Sequence, residues 1–207
     1  MKVAIFSESP ADEAAIRVFI NAVLNVTTDE IGLPSLQGRG WPGVKASHQA
    51  VMTHLHYRTD AEALVIVADL DDSVIHQTAH EQTPDRKCRL CFLRESVQET
   101  QSKLRARAGL APLKIALGLA LPAIEAWYLC GKEAHATEAA CMQDKNKRTP
   151  EYKNKLKELV YGTSRPSLQL ETQHAITEAQ RLVQDIALLE QNFPLGFGTL
   201  LRDLRSW

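Results

Sequence analysis

The sequence predicts an α/β fold: a mostly parallel sheet flanked by helices, followed by a C-terminal helical extension. Three observations predict it. Strand-like and helix-like stretches alternate from Lys2 to Leu121, the pattern of parallel strands joined by helical crossovers. The run Leu64-Val65-Ile66-Val67-Ala68 is uninterrupted apolar sequence, as in a strand buried on both faces. Beyond it and the similar run Leu113–Leu121, only helical patterns remain. The expected organisation is a sheet domain over residues 1–130, with residues 131–207 as a helical extension packed on it.

Each element has a local reason. Lys2 to Phe6 (KVAIF) is a short β-leaning run and reads as the first strand. Ser9 is a good N-cap, and Pro10 fits the first helical position. Asp12 and Glu13 then fall in the first turn, where the helix dipole favours negative charge. Ile16, Phe19, Ile20, Val23 and Leu24 form the apolar stripe of that helix. Glu8 therefore sits in a strand-to-helix turn. Residues 28–43, rich in Gly and Pro, read as loop with a short second strand around Ile31 to Leu36. Val44 to Tyr57 reads as a helix burying Val44, Ala50, Val51, Met52 and Leu55. Ser73 to His80 reads as a helix start, interrupted by Pro84. Asp85 to Arg107 reads as a basic helix ended by Gly109 and Pro112. Leu113 to Leu121 (LKIALGLAL) is a strand stopped by Pro122, and a helix follows at once. Glu125 lies in that otherwise apolar helix. Burying it alone would be costly, so it is expected to be paired, protonated or turned toward other acids. Thr149-Pro150-Glu151 looks like a helix entry and Gly162 to Pro166 a break. Leu168 to Glu190 reads as one long amphipathic helix, and Leu200, Leu201 and Leu204 belong to a last short one.

The chain of 207 residues is 44% hydrophobic and 24% charged, which excludes the disordered and low-complexity classes. No apolar run approaches the roughly 18 residues of a membrane span. The N-terminus lacks a secretory pattern. A cytoplasmic protein is expected. Net charge is −1, but residues 1–84 carry 5 Lys+Arg against 11 Asp+Glu, and residues 85–207 carry 19 against 14. An acidic half beside a basic half suits a metal pocket next to a polyanion-binding surface, and equally suits ordinary solvated helix faces. Thirteen of those 19 basic residues lie between Arg86 and Arg107 or between Lys145 and Lys157. Four cysteines do not form a disulfide framework in such a chain. Cys88 and Cys91 make one C-x-x-C, but Cys130 and Cys141 supply no second, so half-buried thiols are the favoured reading. His76 and His80 are spaced as H-x-x-x-H without the Glu that follows the first His in zincins.

The chemistry-bearing stretch is Asp69-Leu70-Asp71-Asp72, which ends the apolar run. Side chains alternate along a strand, so Asp69 and Asp71 would point to the same side if it stays extended. Two carboxylates at the carboxyl end of a parallel strand can share a hard cation such as Mg2+. Asp72 could instead cap the next helix.

A first strand ending in Glu, then a helix, then a later strand ending in D-x-D resembles the Toprim fold. E-S-P-A-D-E, residues 8–13, resembles the motif entry of the overcoming-lysogenization-defect nucleases, with Ser9 and Ala11 in place of the usual residues. The chain is also similar to small standalone bacterial Toprim-like proteins. They share an E-A-W-[LY]-L segment (Glu125 to Leu129), a P-E-x-x-K-x-x-L segment (compare Pro150, Glu151, Lys155 and Leu159) and a final F-x-x-L (Phe197 to Leu200). The resemblance implies divalent-metal chemistry on phosphodiesters. By it, Asp69 and Asp71 are expected metal ligands, Glu8 a ligand or the general acid/base, Asp12 a further ligand, and Glu125 a supporting residue. The implied cofactor is Mg2+ or Mn2+, and the implied activity a nuclease, with phage defence beside an ATPase partner as the context the resemblance suggests. The basic segments would hold nucleic-acid backbone. The alternative is a non-catalytic Toprim-like subunit that binds a protein or nucleic acid, a reading kept open by Ser9 and by the absence of a lysine near the acids in sequence. A haloacid-dehalogenase phosphatase, suggested by D-L-D-D-S, is disfavoured because that motif ends the first strand of its family's fold.

Overall fold

The computed structural model describes residues 1–33, 40–71, 73–107 and 109–207. Among these, strands β1 (Lys2–Phe6), β2 (Asp29–Glu30), β3 (Ala63–Asp69) and β4 (Lys114–Ala120) form one all-parallel sheet in the order β2-β1-β3-β4. Helices α1 (Pro10–Leu24), α2 (Gly40–Arg58) and α3 (Arg89–Lys103) are the three crossovers. After β4 come α4 (Ile124–Tyr128), α5 (Glu138–Gln143), α6 (Pro150–Tyr161), α7 (Leu168–Leu182), α8 (Ile186–Asn192) and α9 (Phe197–Arg205). The fold is α/β with a parallel sheet and a C-terminal helical segment, as the alternating pattern predicts.

Alternation along each strand divides the core in two. Val3, Ile5, Val65 and Val67 face a layer built from α1, α4, α7 and α9. Ala4, Phe6, Leu64, Ile66 and Ala68 face α2 and α3. With both faces covered, the central strands must be apolar throughout. Helix α9 lies directly on β4. A methyl group at Gly118 would stand 3.2 Å from Val67 and 3.3 Å from Leu200, so a larger residue there would push the helix off the sheet.

The chain runs from β1 to its neighbour β2, then crosses back past β1 to β3. Connections from the adjacent strands β1 and β3 therefore leave on opposite sides, and their carboxyl ends border a crevice. Glu8 follows β1 and Asp69 ends β3.

Several elements differ from the sequence reading. The second strand pairs only through Asp29 and Glu30, opposite Lys2 and Val3. Ile31 to Leu33 stay unpaired, and the rest of the expected strand lies outside the described residues, as does Asp72 with its capping role. Ser73 to His80 forms no α-helix, only a short 3-10 turn at Thr78–Glu81. Helix α3 starts at Arg89 rather than Asp85, because the Asp85 carboxylate accepts the Lys87 N–H (2.8 Å) in a separate turn. In α2, Ala50 is exposed and His48 takes an inward place, bonded to the Ser96 hydroxyl at 2.7 Å. The expected helix 168–190 breaks at Val183–Asp185. There the Asp185 carboxylate caps α8 through the Leu188 N–H (3.0 Å). No described helix is long and apolar enough to cross a membrane.

Candidate acidic site at the carboxyl ends of the central strands

Each acid of this site is placed by a local device. Ser9 accepts the Asp12 N–H (3.2 Å) and Pro10 opens α1, so the chain turns sharply after β1 and leaves Glu8 at the crevice. Glu8 Oε1 accepts the backbone N–H of Asp69 (3.0 Å), tying the exit of β1 to the end of β3. Asp12 lies in the first turn of α1. Asp69 uses Oδ1 to accept the Ile124 N–H (3.0 Å) at the start of α4. Glu125, one residue on, is buried, with Lys157 Nζ 3.8 Å from its Oε1.

Asp71 reaches the site differently from the strand-alternation argument. β3 ends at Asp69, and Asp71 takes a left-handed backbone (φ 49°), a conformation that Asp tolerates better than most residues. Its N–H donates to the Pro122 carbonyl (3.0 Å) in the loop after β4. Its carboxylate nonetheless converges with that of Asp69, because both accept from the same ammonium. Lys153 Nζ lies 2.9 Å from Asp69 Oδ2 and also bonds Asp71 Oδ1. Arg89 joins from α3, donating to the Asp69 carbonyl (2.6 Å) and to Asp71 Oδ2 (2.9 Å), with Glu8 Oε1 at 3.7 Å.

Among the described residues the acids outnumber the cations. Glu8, Asp12, Asp69, Asp71 and Glu125 meet Arg89, Lys153 and Lys157, and Lys157 is shared with Glu171 at 3.2 Å. Burial, reinforced by the neighbouring acids, keeps protons on part of the cluster. Burial, then the charges of Asp69 and Asp71, push the Glu8 carboxyl up to about 7. Burial and Asp69 push Glu125 up to about 7 as well. Burial, Asp69 and Glu125 raise Asp12 well above the carboxylate range. Burial opposes ionisation of Asp71 too, but Lys153 and Arg89 outweigh it and hold that carboxyl below its usual value. The Tyr128 hydroxyl, buried within the field of Asp12 and Tyr161, has no hydrogen-bond partner among the described residues. Glu8, Asp12, Asp69, Glu125, Lys153 and Lys157 line a cavity of about 280 Å3, together with Ser9, Gly40 and Tyr161; Asp71 and Arg89 are not in its lining.

Oxygen donors in excess, holding protons that a cation would displace, fit a hard divalent ion such as Mg2+ or Mn2+. Glu8, Asp12, Asp69 and Asp71 are the candidate ligands, with Glu125 behind them, but as the side chains stand no three of their oxygens lie within 4.8 Å of one another, so these carboxylates would have to close in around an ion. In the geometry described, Lys153 and Arg89 neutralise Asp69 and Asp71, so an incoming cation must displace or share with the ammonium.

Sequence reasoning missed the cations. Lys153 and Lys157 stand one turn apart on α6, while Lys155 and Leu159, the positions compared with the P-E-x-x-K-x-x-L segment, are exposed. The available signal was the i, i+4 spacing of Lys153 and Lys157 on a capped helix. Arg89 was one of many basic residues in its segment.

A second cleft of about 460 Å3 adjoins the site through Arg89. Trp41, Lys45, Ser73, Arg86, Lys87 and Phe92 line the rest of it. Arg89 stacks 4.8 Å from the Trp41 ring centroid and Lys45 lies 5.3 Å over Phe92. Other basic residues of that segment are engaged elsewhere: Arg94 with Glu81 (2.6 Å), Lys103 with Glu99 (2.6 Å), and Arg107 with the Ala61 carbonyl (2.8 Å). No family model, curated protein or solved structure gives a significant match to the chain.

Proposed function

We propose that this chain is a Mg2+- or Mn2+-dependent nuclease of Toprim type, hydrolysing phosphodiester bonds at the acidic site. The observation that carries the reading is the convergence of Glu8, Asp12, Asp69, Asp71 and Glu125, with acids in excess of cations, at the crevice between β1 and β3. A bound divalent ion would supply charge stabilisation for an in-line displacement and a water of lowered pKa. The chain's own groups have separable roles. Asp69 and Asp71 provide fixed carboxylates. Glu8, poised near neutrality by burial and by Asp69, takes or returns a proton at its free oxygen. Lys153 and Arg89 offer donors for phosphate oxygens once released from the carboxylates. The adjoining cleft, with Trp41 and Phe92 interleaved with Lys45, Arg86 and Lys87, suits a nucleic-acid strand, whose bases stack and whose phosphates pair with cations. Phage defence and an ATPase partner follow from the Toprim resemblance and belong to this proposal only.

The second reading is a non-catalytic Toprim-like subunit that binds nucleic acid or protein. It is favoured by one observation: Lys153 already bridges Asp69 and Asp71 as an internal counter-ion. Incubation of single- and double-stranded DNA and RNA with wild type and Asp71→Ala, in Mg2+, Mn2+ or chelator, separates the two. Metal-dependent cleavage lost in Asp71→Ala supports the nuclease. Binding of the same substrates by both proteins, with no cleavage in either metal, supports the subunit.

A further inference from the structure

We infer that His76, His80, Cys88 and Cys91 form a structural zinc site that organises the connection between β3 and α3. In sequence these residues are two separate weak signals, an H-x-x-x-H and a C-x-x-C. The fold merges them: one ligand atom from each lies within 4.8 Å of every other.

The spacing fits tetrahedral coordination. With Zn–S of about 2.3 Å and Zn–N of about 2.05 Å, the sulfur-to-nitrogen edge of a tetrahedron is about 3.6 Å. His76 Nδ1 stands 3.5 Å from Cys88 Sγ and 3.6 Å from Cys91 Sγ. Thiol hydrogen bonds explain this poorly, since a ring nitrogen has one lone pair and two sulfurs approach it almost equally. The other His76 nitrogen, Nε2, is 3.1 Å from Glu81 Oε1. A carboxylate there fixes the proton on Nε2 and leaves Nδ1 free to ligate, the usual outer support of a metal-bound histidine. His80 Nδ1 is buried and has no hydrogen-bond partner among the described residues. It is the fourth donor, and its lack of a partner is the observation independent of the cysteine geometry.

The setting argues for a structural role. Residues 70–88 link β3 to α3, and the regular structure described there is a single 3-10 turn. Connections this long with so little regular structure are uncommon in compact domains and usually serve a function or lack order, and a bound metal would order this one. Four protein ligands leave no open coordination position, as in structural zinc sites. Two thiolates and two neutral imidazoles suit zinc in softness and balance its charge. Cys88 directly precedes Arg89, which holds the Asp69 carbonyl and the Asp71 carboxylate. The metal would thus fix the loop on which Asp71 leaves β3 and the helix start from which Arg89 reaches it. This inference does not rest on the nuclease reading.

The test is metal analysis of the full-length protein, purified without added metal or chelator. A single equivalent of zinc per chain is expected. Exchange for Co2+ should give strong tetrahedral d–d absorption and a thiolate-to-cobalt charge-transfer band. Both should vanish in Cys88→Ser/Cys91→Ser and persist in Cys130→Ala, whose thiol is remote from the cluster. If the double variant does not fold, Glu81→Ala provides the second arm: zinc affinity against a competing chelator should fall about 10–100-fold. Folded wild type that carries no zinc and gives no thiolate–cobalt band overturns the proposal. Iron with a sulfide chromophore in its place overturns the assignment of the metal.

Discussion

Replacing Lys153 by Met tests whether its ammonium acts as a built-in substitute for a metal. Its Nζ is 2.9 Å from Asp69 Oδ2 and bonds Asp71 Oδ1, and the three side chains are 23%, 13% and 29% exposed. At an effective dielectric constant of about 20, one contact at that distance corresponds to roughly 6 kcal/mol of gross attraction. Desolvation of both ions cancels much of it. Removing one partner of a largely buried pair costs about 3–5 kcal/mol, and the partial exposure here lowers the expectation to about 2–4 kcal/mol. For a chain of this size that is a fall in Tm of roughly 5–15 °C. A divalent ion occupying the vacated position would offset the loss. At a free concentration about 100 times Kd, binding contributes about 2.7 kcal/mol, or roughly 5–11 °C. Wild type should gain less, because the ion must first displace Lys153. Thermal unfolding at pH 8, in chelator and across a Mg2+ series, reads both effects. A Lys153→Met variant as stable as wild type in chelator, or one whose Tm Mg2+ raises no more than that of wild type, would show that the ammonium does not stand in for a metal.

Three further outcomes follow from the geometry. Because Glu8 holds its proton to about 7 when folded, against a usual 4.5, the folded state binds more protons than the unfolded one between those values. Stability in chelator should therefore fall as pH rises from 4.5 to about 7, by up to about 3 kcal/mol for this group, and Mg2+ stabilisation should grow over the same window. Glu8→Gln should remove part of both slopes, and a pH profile of Tm unchanged by the substitution would contradict the assignment. Gly196→Ala places a methyl group 2.0 Å from the Leu119 carbonyl oxygen and 2.9 Å from Glu138 Oε1, against β4 and the buried carboxylate that accepts the Leu195 and Gly196 N–H groups. Urea unfolding should show a loss of about 3 kcal/mol or more, and a change under about 0.5 kcal/mol would show that this contact is not tight. Arg86→Ala/Lys87→Ala should weaken nucleic-acid binding and reduce the slope of log K against log salt by about 0.7–0.9 for each phosphate contact removed; an unchanged slope would take the strand out of the Trp41–Phe92 cleft.

What was legible in the sequence was set by short-range chemistry. The Ser9 cap, Pro10 and the end of the apolar run placed Glu8 and Asp69 at strand exits, because caps and strand ends depend on a few adjacent residues. Their meeting follows from strand order, which the alternation of elements implies. Asp71 was legible as a site residue but not in its conformation, since its left-handed backbone depends on the Pro122 carbonyl more than fifty positions away. Lys153 was legible only as one of an i, i+4 lysine pair on a capped helix, not as a partner of Asp69 and Asp71. Nothing local to residue 153 points to residue 69, and only the return of α6 across the sheet ends brings them together. The same holds for the His and Cys pairs, whose proximity is created by an irregular connection without periodicity to read. Long helix 168–190 failed as a single element because one residue, Asp185, satisfies the next helix's free N–H better than it continues the preceding one.

The proposed divalent-cation site lies between β1 and β3, anchored by Glu8 and Asp69. Calorimetric titration of Mn2+ and Mg2+ at pH 8, into wild type and into Glu8→Gln/Asp69→Asn with folding verified for both, tests it most directly. Saturable binding by wild type and its loss in the double variant are expected. Equal binding by the two proteins, or none by wild type with either metal, would contradict it.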